Sequence, residues 1–210
     1  MLDNVKFVKH SCIKICDNLV IYFDPFKIDK FYNDADIIFI THNHYDHYSE
    51  EDIKKVMKDD SFIVIPYDLE ESVLNLGFKI NNVIMVKPNK QYEVLNITFN
   101  TIPAYNTNKN FHLRSYDWIG YIININNFTY YIAGDTDKTP ENSSVLCDVA
   151  FVPIGGTYTM NYLEAAELIN EIKPKMVVPI HYGVIVGSRE DAIKFKNLIN
   201  KDIICKIYDN

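Results

Sequence analysis

Positive charge is scarce in this sequence. Its 21 Lys and Arg residues stand against 28 Asp and Glu residues, which gives a formal net charge of −7 at pH 7, and no Lys/Arg run exceeds two residues. Proteins that bind nucleic acid usually carry a basic patch that neutralises phosphates. The composition therefore disfavours a nuclease and predicts no nucleic acid partner.

Cysteines are few, and long apolar runs are absent. The C-x3-C spacing of Cys12 and Cys16 has no second pair that would complete a zinc knuckle, because Cys147 and Cys205 are far apart. We therefore expect free thiols and a reducing compartment. No stretch reaches 18 uninterrupted apolar residues and the N-terminus lacks a signal core, so we expect a cytoplasmic protein with no membrane partner.

The rest of the composition is typical of a globular enzyme-sized chain. Of its 210 residues, 48% are hydrophobic and 23% are charged. A chain of this length buries an ordinary core, so we expect a single domain over residues 1–210. The oligomeric state is left open, a homo-oligomer included.

Strand-like segments precede helix signals in each half of the chain. In the first half, Ser49 is a candidate N-cap and is followed by three acidic residues, which favour the positive end of a helix dipole. In the second half, N-Y-L-E from Asn161 is typical of a capping box. The stretch 103–117 has neither periodicity and is predicted to be a loop, which at that length is often functional. This order predicts an α/β (α+β) fold with two packed sheets and outer helices, a four-layer αββα sandwich.

The clearest functional signal is T-H-N-H-Y-D-H at residues 41–47, which holds three of the six histidines. In an extended or loosely turned segment, His42 and His44 point the same way and can grip one cation. Asp46 and His47 lie beyond the turn and can reach a second. Three imidazoles crowded together repel one another when protonated, so such a cluster favours a metal site over an accidental one.

Other metal-binding residue types also follow strand-like segments, namely Asp24, Asp135 and His181. Loops at strand ends converge on a rigid frame, so distant residues can share a site there. Asp135 can bridge two ions about 3.5–4 Å apart, and His181 can complete the shell of the second ion. Imidazole and carboxylate donors suit zinc, with manganese or iron tolerated, so we expect one or two such ions. His10, taken alone, is interpreted as an ordinary histidine.

The motifs together resemble the metallo-β-lactamase superfamily over about residues 5–207. Besides the histidine segment, the resemblance rests on K-H-S-C and F-D-P-F before it, and on G-D-T-D and P-I-H-Y after it. P-A-Y-N and P-I-G-G-T-Y-T-M are similar to small stand-alone metal-dependent hydrolases near the ascorbate-phosphate lactonases. The resemblance implies the αββα sandwich with a dinuclear site between its sheets. It also implies that Asp24 orients a ligating histidine rather than binding metal.

One position departs from the family pattern. The family supplies a third histidine to the first ion from the loop after the middle strand, where this chain has Asn106. An amide oxygen is a weaker zinc ligand than imidazole. Three readings stay open: the first site is weak, His112 from the same loop replaces the histidine, or a single ion suffices.

A dinuclear site predicts a hydrolase. Water shared by two ions has its pKa lowered to about 7, and the resulting hydroxide attacks an ester, lactone, amide or phosphodiester, with Asp46 as catalytic residue that holds or accepts a proton. Gly155 and Gly156 either offer backbone N–H groups to an anionic oxygen or form a tight turn. Lys109 and Arg114 either face an anionic group of a small-molecule substrate or are solvated.

Two further classes stay open at this point. A non-catalytic or regulatory metal-binding protein of the same fold is kept open by the missing histidine. A redox di-iron protein is disfavoured, because that class prefers glutamate at the position of His44 and usually carries a flavin domain.

Overall fold

The computed structural model describes residues 4–208. The chain divides into two compact units, an N-terminal unit ending at Lys87 and a C-terminal unit beginning at Pro88. The expected single domain over 1–210 stays a prediction. Among the described residues, no helix is both long and apolar enough to cross a membrane.

The N-terminal unit is a six-stranded sheet with two short helices. The strands follow one another in sequence order across the sheet, antiparallel from the first to the third and parallel from the third to the sixth. Its elements are β1 (Val5–Lys9), β2 (Cys12–Cys16), β3 (Val20–Phe23), β4 (Ile37–Phe39), α1 (Glu50–Val56), β5 (Phe62–Pro66), α2 (Glu70–Leu76) and β6 (Val83–Val86).

Helix α1 begins as the sequence predicts and also anchors a loop. Ser49 is the N-cap, and its side chain accepts a hydrogen bond from the Asp52 backbone N–H. The Asp52 carboxylate in turn accepts hydrogen bonds from the backbone N–H groups of Lys27 (2.9 Å) and Ile28 (3.0 Å). This fixes the segment that follows Asp24.

The C-terminal unit is a seven-stranded sheet with two longer helices. The strands run antiparallel from β7 to β10 and parallel from β10 to β13, in the order β13-β12-β11-β10-β9-β8-β7. Its elements are β7 (Gln91–Val94), β8 (Ile97–Pro103), β9 (Ile119–Ile125), β10 (Phe128–Ile132), β11 (Val149–Pro153), α3 (Tyr162–Ile172), β12 (Met176–Ile180), α4 (Arg189–Leu198) and β13 (Ile204–Cys205).

Local sequence signals agree with the observed start of α3 and with the turn between β9 and β10. The Asn161 side chain accepts from the Glu164 backbone, and the Glu164 side chain accepts from the Asn161 N–H, which completes the capping box. Asn126 and Asn127 have φ of 52° and 63°, as the two-residue β9–β10 hairpin requires. Helices α3 and α4 pack on this sheet over a core that includes Leu168.

Topology brings particular chain segments to one edge of each sheet. In the N-terminal unit, β3 and β4 are parallel neighbours, so Asp24 and the histidine segment follow adjacent strand ends. In the C-terminal unit, β8, β10, β11 and β12 share one direction, so the segments after them emerge at the same edge. Loop 104–118, Asp135, Gly155 and His181 all follow these strands.

Candidate metal centre

In the N-terminal unit, a buried carboxylate organises the histidine segment. Asp24 accepts hydrogen bonds from the Thr41 backbone N–H at 2.8 Å and from its hydroxyl at 2.7 Å. Its Oδ2 also lies 2.7 Å from His47 Nδ1. A carboxylate at Nδ1 places the ring hydrogen there and leaves the lone pair of Nε2 to serve a cation.

The histidine segment itself forms two pairs of donors. His42 Nε2 lies 3.2 Å from His44 Nδ1. His47 Nε2 lies 3.6 Å from Asp46 Oδ2. A turn separates the pairs, because the His47 backbone N–H donates to the His44 carbonyl at 2.9 Å. The segment thus presents the pairing expected from its spacing.

His10 joins the second pair, which the sequence reasoning missed. It is fully buried, and its Nε2 lies 3.0 Å from Asp46 Oδ2. His10, Asp46 and His47 offer donor atoms within 4.8 Å of one another. The available signal was the position of K-H-S-C, since His10 directly follows β1 at the turn into β2.

In the C-terminal unit, one carboxylate oxygen contacts two imidazoles. Asp135 Oδ2 lies 3.1 Å from His181 Nε2 and 3.2 Å from His112 Nε2. All three residues are buried. Because they follow β10, β12 and β8, the shared direction of these strands brings them together. Burying three such groups is costly unless they are paired or bind a cation.

Asn106 and His112 occupy different places within loop 104–118. The Asn106 side-chain amide donates to the Tyr158 carbonyl at 2.7 Å, and its backbone N–H donates to the His112 carbonyl at 2.9 Å. Its Oδ1 is buried, and no donor in the stretch 4–208 reaches it. His112 carries the imidazole that contacts Asp135. Asn106 closes the loop around it.

Four residues of these clusters have backbone conformations that non-glycine residues rarely adopt. The φ angles are 57° for His10, 43° for Asp24, 49° for His112 and 56° for His181. Left-handed φ costs a non-glycine residue of order 1–3 kcal/mol and is found disproportionately at functional sites. Four residues of the candidate clusters thus share a conformation that is also found elsewhere among the described residues, at Lys27 and Leu95 for example.

The Gly156 N–H is not available to the anionic oxygen that one reading of the Gly155–Gly156 pair expected. The Gly156 N–H donates to the Met160 carbonyl at 3.0 Å, so it is already used within a turn with φ of 83°. At Gly155, a Cβ would lie 2.5 Å from the His181 carbonyl oxygen and 3.2 Å from His181 Nδ1. Gly155 therefore permits the close approach of His181.

The two loop cations, for which the sequence left a substrate-facing and a solvated reading open, are paired with carboxylates. The Lys109 ammonium contacts Asp137 Oδ1, and the Arg114 guanidinium lies 2.6 Å from Glu141 Oε1. Arg114 also lies over the Tyr105 ring at 4.8 Å. These contacts hold the loop and neutralise both positive charges.

Trp118 and Tyr116 pack together beside His112. The Trp118 ring lies edge-on to the His112 ring with centroids 5.5 Å apart, and it contacts Tyr116 at 4.8 Å. Trp118 is buried, as is Tyr105. The His112 ring is thus packed against aromatic residues of its own unit.

Burial raises the pKa of three of the four thiols. Cys12 is buried and free, and burial raises the pKa of its thiol to about 12. Burial likewise raises the pKa of Cys147 to about 12 and that of Cys205 to about 11. The candidate donor clusters found among residues 4–208 contain imidazoles and carboxylates and no thiol.

This donor set fits a divalent transition-metal ion. Imidazole nitrogen with carboxylate oxygen is typical of zinc sites and is shared by iron and manganese. The Asp24–His47 contact is the carboxylate–histidine arrangement that usually supports a ligating ring. Each unit, by itself, thus presents donors suited to a metal.

Comparison with known proteins also finds relatives that are described as metal-dependent. The family described as Beta-lactamase superfamily domain matches residues 4–181. A UPF0173 metal-dependent hydrolase from Pyrococcus abyssi is 32% identical, covering 93% of this chain and 91% of that protein. A crystal structure from Parabacteroides distasonis, to which metal-dependent hydrolase activity is attributed, matches with a TM-score of 0.80 at 30% identity, covering 97% of this chain and 91% of the other.

Two more distant structures have low sequence identity to this chain and are informative only about its fold. The metallo-β-lactamase fold protein YhfI from Bacillus subtilis matches with a TM-score of 0.70 at 13% identity, covering 96% of this chain and 90% of the other. The diiron β-hydroxylase CmlA from Streptomyces venezuelae matches with a TM-score of 0.78 at 15% identity, covering 97% and 52%. The metallo-β-lactamase fold expected from the motifs is confirmed.

Proposed function

The chain belongs to the β-lactamase superfamily domain family, and from this premise we propose that it is a metal-dependent hydrolase of small molecules with a dinuclear zinc centre. Its P. abyssi relative carries the name metal-dependent hydrolase and has nearly the same length. The observation that carries the proposal is the Asp24–His47 contact at 2.7 Å, because it prepares an imidazole to bind a cation.

Each unit supplies donors for the proposed metal. The N-terminal unit would supply His42, His44, Asp46 and His47. The C-terminal unit would supply His112, Asp135 and His181. The pairs measured within each unit support this assignment, as does the contact of His112 and His181 with one oxygen of Asp135. His112 thereby takes the role of the histidine that Asn106 replaces.

Asp46 has a further role in proton transfer. When bound, the metal supplies an activated water at neutral pH and polarises the bond to be broken. Asp46 would orient the attacking water and accept its proton at a carboxylate oxygen. His10 Nε2, 3.0 Å from Asp46 Oδ2, orients the carboxylate. Asp24 keeps His47 in the tautomer that leaves Nε2 to the metal.

An uncharged ester or lactone is favoured over a phosphodiester as substrate. The two loop cations are paired with Asp137 and Glu141, which reduces their capacity to select an anion. The net charge of −7 also works against a polyanion. We place the enzyme in the cytoplasm.

The test is hydrolysis of a panel of aryl esters, lactones and bis-aryl phosphodiesters by the zinc-loaded protein. We expect turnover of an ester or lactone, its loss on chelation, and its recovery when zinc is returned. Asp46→Asn should lose at least about 100-fold in kcat. Asp34→Asn is the control, since Asp34 contacts Lys14 and Tyr22 instead. A zinc-loaded protein inert on the whole panel would favour the regulatory metal-binding alternative.

A further inference from the structure

Loop 104–118 is tied to the segment after β10 at several points. The Asp137 backbone N–H donates to the Tyr105 carbonyl at 2.9 Å. The Thr136 hydroxyl donates to the same carbonyl at 3.1 Å and accepts from the Tyr105 N–H at 3.2 Å. The segment that carries Asp135 therefore also holds the entrance of the loop that carries His112.

The Asp137 side chain extends this attachment into the loop. Its Oδ2 accepts from the Thr107 backbone N–H at 2.8 Å and from the Thr107 hydroxyl at 3.3 Å. Its Oδ1 pairs with the Lys109 ammonium. Asp137 is only 3% exposed. Both oxygens of a buried carboxylate are thus committed to the residues between Asn106 and His112.

The carboxylate is itself held rigidly on its own segment. The Asp137 carbonyl accepts from the Asn142 side-chain amide at 2.8 Å, and it lies 2.8 Å from the Thr136 hydroxyl, whose single proton it shares with the Tyr105 carbonyl. A fixed anchor is needed because His112 has left-handed φ, a conformation that persists only when its surroundings determine it. The Asn106–His112 backbone bond then closes the loop over the anchored residues.

We propose that Asp137 is a positioning residue for the metal centre, holding loop 104–118 so that the His112 imidazole stays at Asp135. The inference rests on the proposed function, since it needs His112 to be a metal donor. Asp137 itself binds no metal: its two oxygens go to Thr107 and Lys109. Its effect on the metal passes through the loop.

The chain offers a matched control in the same unit. Asp148 also accepts a backbone hydrogen bond, from Thr129 at 2.8 Å, and pairs with a lysine, Lys175, at 2.7 Å. It lies before β11, away from the strand ends that carry the candidate ligands. Asp148→Asn therefore removes the same kind of ion pair without touching loop 104–118.

The experiment compares wild type, Asp137→Asn and Asp148→Asn in two measurements. Amide hydrogen exchange of the metal-free proteins should be faster in Asp137→Asn over 106–113 and unchanged there in Asp148→Asn. Zinc affinity, from chelator competition, should fall about 10- to 100-fold in Asp137→Asn alone. The visible spectrum of bound Co²⁺ should change in the same variant, as loss of an imidazole donor requires.

Lys109→Met serves as the second variant if Asp137→Asn does not fold, because it leaves the acceptor for the Thr107 N–H intact. It should shift exchange and affinity in the same direction by less. Wild-type affinity and an unchanged Co²⁺ spectrum in a variant with a loosened loop would overturn the inference. A wild-type protein that binds no zinc would instead refute the proposed function.

Discussion

The candidate ligands lie close together in the sequence of the N-terminal unit but are dispersed along the sequence of the C-terminal unit. In the N-terminal unit, four of the donors lie within residues 42–47, and Asp24 supports them from the neighbouring strand end. In the C-terminal unit, His112, Asp135 and His181 are scattered along the chain and meet only through the shared direction of their strands. Together the two clusters include all six histidines of the sequence.

This difference shows when the spacing of residues in the sequence is enough to indicate a candidate metal site. In a compact segment the spacing alone indicates paired donors. A dispersed cluster depends instead on loop anchors and on close approaches of the backbone. The C-terminal cluster should therefore be sensitive to substitutions that touch no donor atom, such as those at Asp137 and Gly155. The N-terminal cluster should respond mainly to loss of the donors themselves.

The largest effect is expected from His44→Ala. His44 is half-buried, so its loss should remove metal and abolish activity with little change in the free energy of unfolding of the metal-free protein. Metal content and denaturant unfolding measure the two effects. Asn43→Ala, at the exposed neighbouring position, should keep full metal content. A His44→Ala protein that retains its metal would make the ligand assignment wrong.

Gly155→Ala tests whether the dispersed cluster depends on backbone packing. The added Cβ would lie 2.5 Å from the His181 carbonyl oxygen, so His181 must move. We expect a loss of about 1–3 kcal/mol in stability together with weaker zinc binding. Gly156→Ala is the control, because its Cβ meets only Asn161, at 3.4 Å, although φ is strained. Equal zinc affinity in the two variants would contradict a role of Gly155 in zinc binding.

The third histidine is tested by a pair of substitutions in loop 104–118. His112→Ala should weaken zinc binding about 10- to 100-fold, measured by chelator competition. Asn106→His should leave it unchanged, because His112 already contacts Asp135. Tighter zinc binding in Asn106→His, with no loss of affinity in His112→Ala, would show that the third histidine ligand belongs at residue 106 and that His112 does not replace it.

The smallest effect is expected from acid, and it should be similar in both units. Partial burial raises the pKa of Asp36, but its bonds to Lys58 and to the Val20 N–H outweigh this and hold the pKa below its usual 3.8. Lys175 and the Thr129 N–H lower the pKa of Asp148 in the same way. Both carboxylates therefore stabilise the fold above pH 3.8, and this contribution is lost as pH falls through the lowered values.

Each contribution should be below about 1 kcal/mol, since the lysines are partly exposed. Unfolding midpoints between pH 5 and 2.5 should fall less steeply in Asp36→Asn and in Asp148→Asn than in wild type. Parallel curves for wild type and both variants would contradict the prediction.

Much of the fold was predictable because local signals agreed with it. The N-caps at Ser49 and Asn161 are set by neighbouring residues, and each lies where the sequence placed it. The final strand is harder to predict, because β13 pairs with β12 through only two residues. An edge strand has a partner on one side alone, which periodicity does not reveal.

The candidate site was predictable only in part. The spacing of residues 41–47 indicated paired donors, and the structure places those side chains in pairs. His10 was missed because a lone histidine carries no spacing signal. Sequence also left Asn106 and His112 undecided, since loop conformation depends on anchors such as Asp137 that lie elsewhere in the chain.

The central claim is that the imidazole and carboxylate clusters of the two units are metal ligands. The most direct test is elemental analysis of the wild-type protein purified without added metal, scored as ions per chain. The account predicts about two ions per chain, chiefly zinc. A protein that contains no metal, and takes up none when zinc, manganese and iron are supplied, would contradict it.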